Sequence, residues 1–157
     1  MTDKPTATPA ASADLAVLTI MLGDQYYALP IDDVVEVAAM VELTMLANAS
    51  VELLGTANRH GSVLPMFDLR MVLKHEHTPV DDTSLFVVAQ TNDQMVGLVV
   101  DQILQVEYID SRSIKITGVY GHIRGVTTDQ GRMIQVLELA WIIDTYLSTS
   151  MTREGQH

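Results

Sequence analysis

Cysteine is absent from the 157 residues. That excludes disulfides and thiol catalysis, and it is compatible with a reducing compartment. Basic residues are scarce: nine Lys and Arg stand against twenty Asp and Glu, a formal net charge of −11. No Lys/Arg cluster offsets this acidity, so phosphate backbones and anionic membrane surfaces are repelled, and nucleic-acid binding is disfavoured. No apolar run approaches the ~18 residues of a spanning helix, and no basic region leads into an apolar one at the N-terminus, so neither membrane insertion nor secretion is expected. No Gly-rich phosphate loop precedes a helix. Ser62, His60 and Asp68 can be grouped as a hydrolase set, but no nucleophile elbow or other local signature supports them.

Apolar residues are plentiful, at 48% against 18% charged. A sizeable core in one domain of ordinary size follows. Met1 to Asp14 is rich in Thr, Ala, Pro and Ser and is expected to be a flexible tail. A single domain is expected over residues 15–149, with a polar tail over 150–157.

Short apolar runs separated by turn signals dominate that domain. Leu15–Leu22 and Gln25–Pro30 flank Gly23-Asp24, a two-residue hairpin turn. Ser84–Gln90 and Met95–Val100 flank Asn92-Asp93. Ile123–Thr128 and Met133–Leu137 flank Asp129-Gln130-Gly131-Arg132. Leu104, Val106 and Tyr108 alternate with Gln105 and Glu107, the period of a half-buried strand. At the end the period changes: Leu139, Ile142, Ile143 and Tyr146 share one helix face, predicting a helix from Glu138 to Leu147. Residues 38–51 show no clear period, although Ala, Met and Leu favour helix. This pattern argues for an all-β barrel or sandwich with a terminal helix, and leaves one barrel or two open.

The central stretch runs from Leu53 to Arg70. Two apolar strands flank Asn58-Arg59-His60-Gly61, where Asn and Gly tolerate the positive φ of a sharp reversal. A guanidinium and an imidazole are thereby placed at a loop tip held by a sheet, a usual position for binding groups. His75, His77, Asp81 and Asp82 can be drawn as a metal site, but an exposed polar connection is the simpler reading, since zinc needs three or four ligands held in place. Asp32 and Asp33 read as a solvated turn. Met66, Met95 and Met133 lie inside strand-like runs and read as core filler, while Met40 and Met45 stay undecided.

Two blocks resemble the CheW family of chemotaxis-type adaptors. The first is Leu22, Gly23, Tyr27, Ala28, Leu29, Pro30, Ile31, then Val34, Glu36 and Val37. The second is Gly55, Asn58, Gly61, Pro65, Asp68, Leu69 and Arg70, and the run through Val100-Asp101 is a third, smaller match. Arg59-His60 departs from the family's Leu-Arg, marking a divergent member. The resemblance covers about residues 15–147. It implies two small five-stranded SH3-like barrels side by side, with no catalytic activity, no cofactor and no metal. It implies a cytoplasmic adaptor at receptor arrays on the inner face of the membrane. Its partners would be the regulatory domain of a CheA-type histidine kinase and the cytoplasmic tip of a chemoreceptor. The residues it nominates for partner binding are Val34, Glu36, Asn58, Arg59, His60, Gly61, Asp68, Arg70, Val100 and Asp101. A small-ligand-binding β-barrel with a sensory role is the alternative.

Overall fold

The computed structural model describes residues 14–47, 49–116 and 121–155, with side chains described up to Thr149. The expected N-terminal tail thus lies outside the described residues, save Asp14, which opens the first strand.

Among the described residues ten strands form two five-stranded sheets, each curled into a small SH3-like barrel. In chain order they are β1 (Asp14–Leu22), β2 (Gln25–Pro30), β3 (Val34–Ala39), β4 (Leu53–Arg59), β5 (Ser62–Asp68), β6 (Leu85–Thr91), β7 (Gln94–Val100), β8 (Gln102–Asp110), β9 (Ile123–Asp129) and β10 (Arg132–Leu137). A short helix α1 (Leu69–Val72) follows β5, and α2 (Leu139–Gly155) follows β10. The four hairpins have the two-residue turns that Gly, Asn and Asp favour. Positive φ falls on Gly23, on Asn92 and Asp93, and on Gln130 and Gly131.

The strand orders are β8-β1-β2-β10-β9 and β3-β6-β7-β5-β4. Advancing each strand by five positions in the chain converts one order into the other, so the two halves share one topology. Each half also lends one strand to the other: β3 leaves the first hairpin to pair with β6, and β8 returns to pair with β1. Even the irregularities correspond. The β3–β6 ladder shifts register between Val34 and Glu36, and the β1–β8 ladder shifts between Thr19 and Ile20, so each edge strand carries a bulge.

Side chains fill both barrels. Ala57, Leu64, Met66, Phe86, Val88 and Val99 pack one interior; Val17, Ala28, Ile109, Ile134 and Val136 pack the other. The largest cluster lies between the barrels. It joins Leu18, Ile20 and Leu29 of one sheet to Val87, Leu98 and Val100 of the other, and it receives Leu139, Ile142 and Ile143 of α2. These are the residues whose helical spacing predicted that face, and α2 clasps the second barrel through it. The helix runs past Leu147 to Gly155, because no Pro or Gly interrupts it until that residue. The described residues among 38–51 form no helix. Their chain is extended enough for Thr44 to bridge Thr56.

The alternation of β8 is present, but its outward face is the apolar one. Leu104, Val106 and Tyr108 are 39%, 55% and 71% exposed. Pairing of Leu18 with Val106 and Val17 with Glu107 sets the register, and Arg132 meets Glu107 on the inward side. Met133 is likewise 66% exposed and fills no core, whereas Met66 is fully buried. Met40 packs against a barrel interior and Met45 lies in solvent.

Candidate partner-docking site

The central turn reverses at His60 and Gly61, with φ of 53° and 85°. Asn58 is not a positive-φ residue as its type suggested. It lies extended within β4, one residue before the strand's end at Arg59, and its side-chain Oδ1 accepts from Gly61 N–H at 3.0 Å, tying the reversal down. The turn projects His60 into solvent. Arg59 does not project freely: its Nε donates to Glu36 Oε2 on β3 at 2.5 Å, and its Nη1 lies 3.7 Å from Met95 Sδ. Glu36, Asn58, Arg59 and His60 line one open cleft of about 270 Å³, whose other walls are Ala38, Val41, Ala57, Leu64 and Phe86. Val34 is half-buried at the margin of the inter-barrel core.

The remaining nominated residues are brought together elsewhere. Asp68 caps α1 by accepting from Arg70 N–H, and it grips the Arg70 guanidinium through Nε and Nη2, both at 2.9 Å. Arg70 also donates to Asp101 Oδ1 at 3.2 Å and to the Thr78 carbonyl at 3.0 Å. The Asp68 bonds push the Arg70 pKa still higher than usual. Asp101 in turn accepts from Gly23 N–H at 2.7 Å. Asp68 and Arg70 are 1% and 4% exposed, so they meet solvent hardly at all. They hold the end of β5, the β7–β8 link and the β1–β2 turn in one frame. Val100 is buried in the inter-barrel core beside them.

His75 and His77 do not converge with Asp81 and Asp82. His75 Nε2 lies 2.7 Å from the Tyr27 hydroxyl, and that phenol donates to Gln25 Oε1 at 3.0 Å. The imidazole thus pins the connection after α1 to the other barrel. Among the described residues no group of three or more His, Asp or Glu is placed to hold a metal ion.

Sequence reasoning missed the exposed apolar ledges. Val35 and Val37 on β3 and Leu104, Val106 and Tyr108 on β8 occupy pseudo-equivalent places on the two edge strands. The signal that could have found them is the internal repeat, since β4–β5 and β9–β10 share one burial pattern along their first strands.

The CheW-like domain model matches residues 16–146. The chain belongs to the CheW-like family. It is 29% identical over 129 residues to the chemotaxis protein CheW of Rhizobium meliloti (strain 1021), covering 78% of this chain and 83% of that protein. It is 25% identical over 138 residues to the chemotaxis protein CheW of Thermotoga maritima, covering 85% and 91%. The crystal structure of the scaffolding protein TtCheW from Thermoanaerobacter tengcongensis has the same fold, with a TM-score of 0.74 at 23% identity, over 79% of this chain and 88% of that one. In this CheW-like chain the matched motifs therefore divide by depth. Asp68, Arg70 and Val100 build the frame, and Glu36, Asn58, Arg59, His60 and Gly61 line or edge a surface cleft.

Proposed function

We propose that this CheW-like chain is a non-catalytic coupling scaffold in chemotaxis-type signal transduction. It joins the regulatory domain of a CheA-type histidine kinase to the cytoplasmic tip of a chemoreceptor, and works on the inner face of the membrane where that tip lies. The observation that carries the reading is the pair of apolar ledges on the free edges of β3 and β8. Single exposed apolar residues are ordinary, whereas rows of them on an unpaired strand edge are a docking surface or an aggregation liability. Ledges of this kind suit an amphipathic helix or a second barrel. Glu36, Asn58, Arg59, His60 and Gly61 contact partners at or beside the cleft, while Val34, Asp68, Arg70, Val100 and Asp101 act by holding that surface in shape. Among the described residues no helix is long and apolar enough to cross a membrane, so attachment to an array is through the partners. A ligand-binding barrel needs an empty interior, and here both interiors are packed with side chains.

Size-exclusion chromatography with the regulatory domain of the CheA-type kinase from the same genome tests the reading. A co-eluting complex is expected, weakened by Val37→Asp or Val106→Asp, with each variant within about 0.5 kcal/mol of the parent stability because both sites are exposed. Separate elution with every such kinase of that genome refutes it.

A further inference from the structure

A polar cleft of about 480 Å³ lies outside both barrel interiors, where the connection after α1 crosses the β8-β1-β2-β10-β9 barrel. Its size is within the ~300–1,000 Å³ of small-ligand sites. Gln25 and Tyr27 of β2, Ile123 of β9 and Gln135 of β10 form one wall, and the segment from Leu73 to Glu76 forms the other. The floor is already in place. Tyr27 is 3% exposed. Its hydroxyl lies 2.7 Å from His75 Nε2 and donates to Gln25 Oε1 at 3.0 Å. Gln135 Nε2 donates to the same Gln25 oxygen at 3.3 Å. The two amides thus bring donors and acceptors to the cleft in a fixed arrangement.

Two opposite charges at the rim are left unpaired. The five arginines with described side chains each hold a carboxylate: Arg59 pairs with Glu36, Arg70 with Asp68, Arg112 with Asp110, Arg124 with Glu138 and Arg132 with Glu107. Lys74 and Glu76 both line the cleft, yet neither forms an ion pair among the described residues, with each other or with any other group. Lys74 follows α1 with a φ of 64°, in the left-handed position where glycine is usual. Glycine would end the helix with less strain but would bring no ammonium to the rim. Glu76 repels a simple anion here, as does the net charge of −11, and Lys74 repels a simple cation. A molecule that carries both signs close together satisfies both residues.

We propose that this cleft binds a free α-amino acid, its carboxylate toward Lys74 and its ammonium toward Glu76. Charge-assisted hydrogen bonds at both ends fix its orientation, and the Gln25 and Gln135 amides face its side chain. Such a ligand joins the connection after α1 to β2 and β10, strengthening the link that the His75–Tyr27 bond already makes, and gives the protein a small-molecule input. It binds whether or not the chain couples a kinase to a receptor.

The single tryptophan reports on this place, because the Trp141 ring centroid lies 6.1 Å from that of His122, which also lines the cleft. The test titrates the full chain with each of the common L-amino acids, followed by Trp141 fluorescence and by calorimetry. At least one is expected to give a saturable change and a matching heat, in the millimolar range or tighter. Acetate, methylamine and sodium chloride at the same concentrations are expected to give neither. Lys74→Gln and Glu76→Gln are each expected to weaken binding about tenfold or more, since each removes one end of the charge match. Both residues are exposed, so the variants are expected to melt like the parent, which separates lost binding from lost folding. No saturable response to any amino acid overturns the proposal. So does a response that acetate or methylamine reproduces, or one that either variant keeps at parental affinity.

Discussion

Arg70 forks onto Asp68, two residues before it in the chain, through two parallel hydrogen bonds of 2.9 Å in the protein interior. A planar guanidinium matches a carboxylate in this way and an ammonium does not. Removing the carboxylate strands a buried cation. Asp68→Ala is therefore expected to lower unfolding free energy by about 3–5 kcal/mol, and Arg70→Lys to lose most of the same contribution. Urea denaturation of both variants measures it. A loss under about 1 kcal/mol for Asp68→Ala shows that the frame does not depend on the fork.

Glu107 makes stability depend on acid. Hydrogen bonds from Arg132 hold its carboxyl at about 2, well below its ordinary 4.5. A carboxyl depressed by folding stabilises the fold above its unfolded value and loses that contribution as pH falls through its folded one. The window for Glu107 accordingly runs from pH 4.5 down to about 2. The group is 11% exposed, so the contribution at pH 7 is about 2–3 kcal/mol. Glu107→Gln is expected to lower stability by that amount at pH 7 and to flatten the stability profile across the window. Parallel profiles for parent and variant would exclude this role.

Gly97 and Met66 share one space inside the second barrel. A Cβ on Gly97 would land on the Met66 thioether, with Phe86 at 3.3 Å behind it. Gly97→Ala is expected to destabilise by about 1–3 kcal/mol through overpacking. Adding Met66→Ala is expected to be less harmful than the sum of the two single changes, since each relieves the other. Thermal unfolding of the double-mutant cycle reads the coupling directly, and strict additivity would contradict it.

Two glycines at positive φ separate strain from collision. At Gly61 (φ +85°) a Cβ meets nothing within 4 Å, but at Gly55 (φ +150°) it would sit 2.5 Å from the Thr44 carbonyl oxygen. Gly61→Ala is expected to lose only about 1–2 kcal/mol of backbone strain. Gly55→Ala adds disruption of the Thr44–Thr56 bridge and is expected to lose at least twice as much. Comparable melting temperatures for the two variants would show that this bridge contributes little to barrel closure.

Local chemistry carried much of this fold into plain view. Hairpins at Gly23-Asp24, Asn92-Asp93 and Gln130-Gly131 follow from turn residues between apolar runs, and the inward face of α2 follows from the spacing of Leu139, Ile142, Ile143 and Tyr146. All of these depend on neighbours a few residues apart, which composition and period register directly. What tertiary structure decided depends on partners far along the chain. Asp101 reaches Gly23 across 78 positions, Arg132 reaches Glu107 across 25, and Arg59 reaches Glu36 across 23. The period of β8 was legible, but not which face it buries. A two-residue repeat has no sign until pairing with β1 sets the register and Arg132 draws Glu107 inward. Of the nominated residues, Asn58 to Arg70 lay likewise in one stretch of the sequence, with Glu36 in a separate block. Barrel closure divided that stretch, placing Asp68 and Arg70 inside as a frame and leaving Asn58, Arg59 and His60 with Glu36 around a cleft.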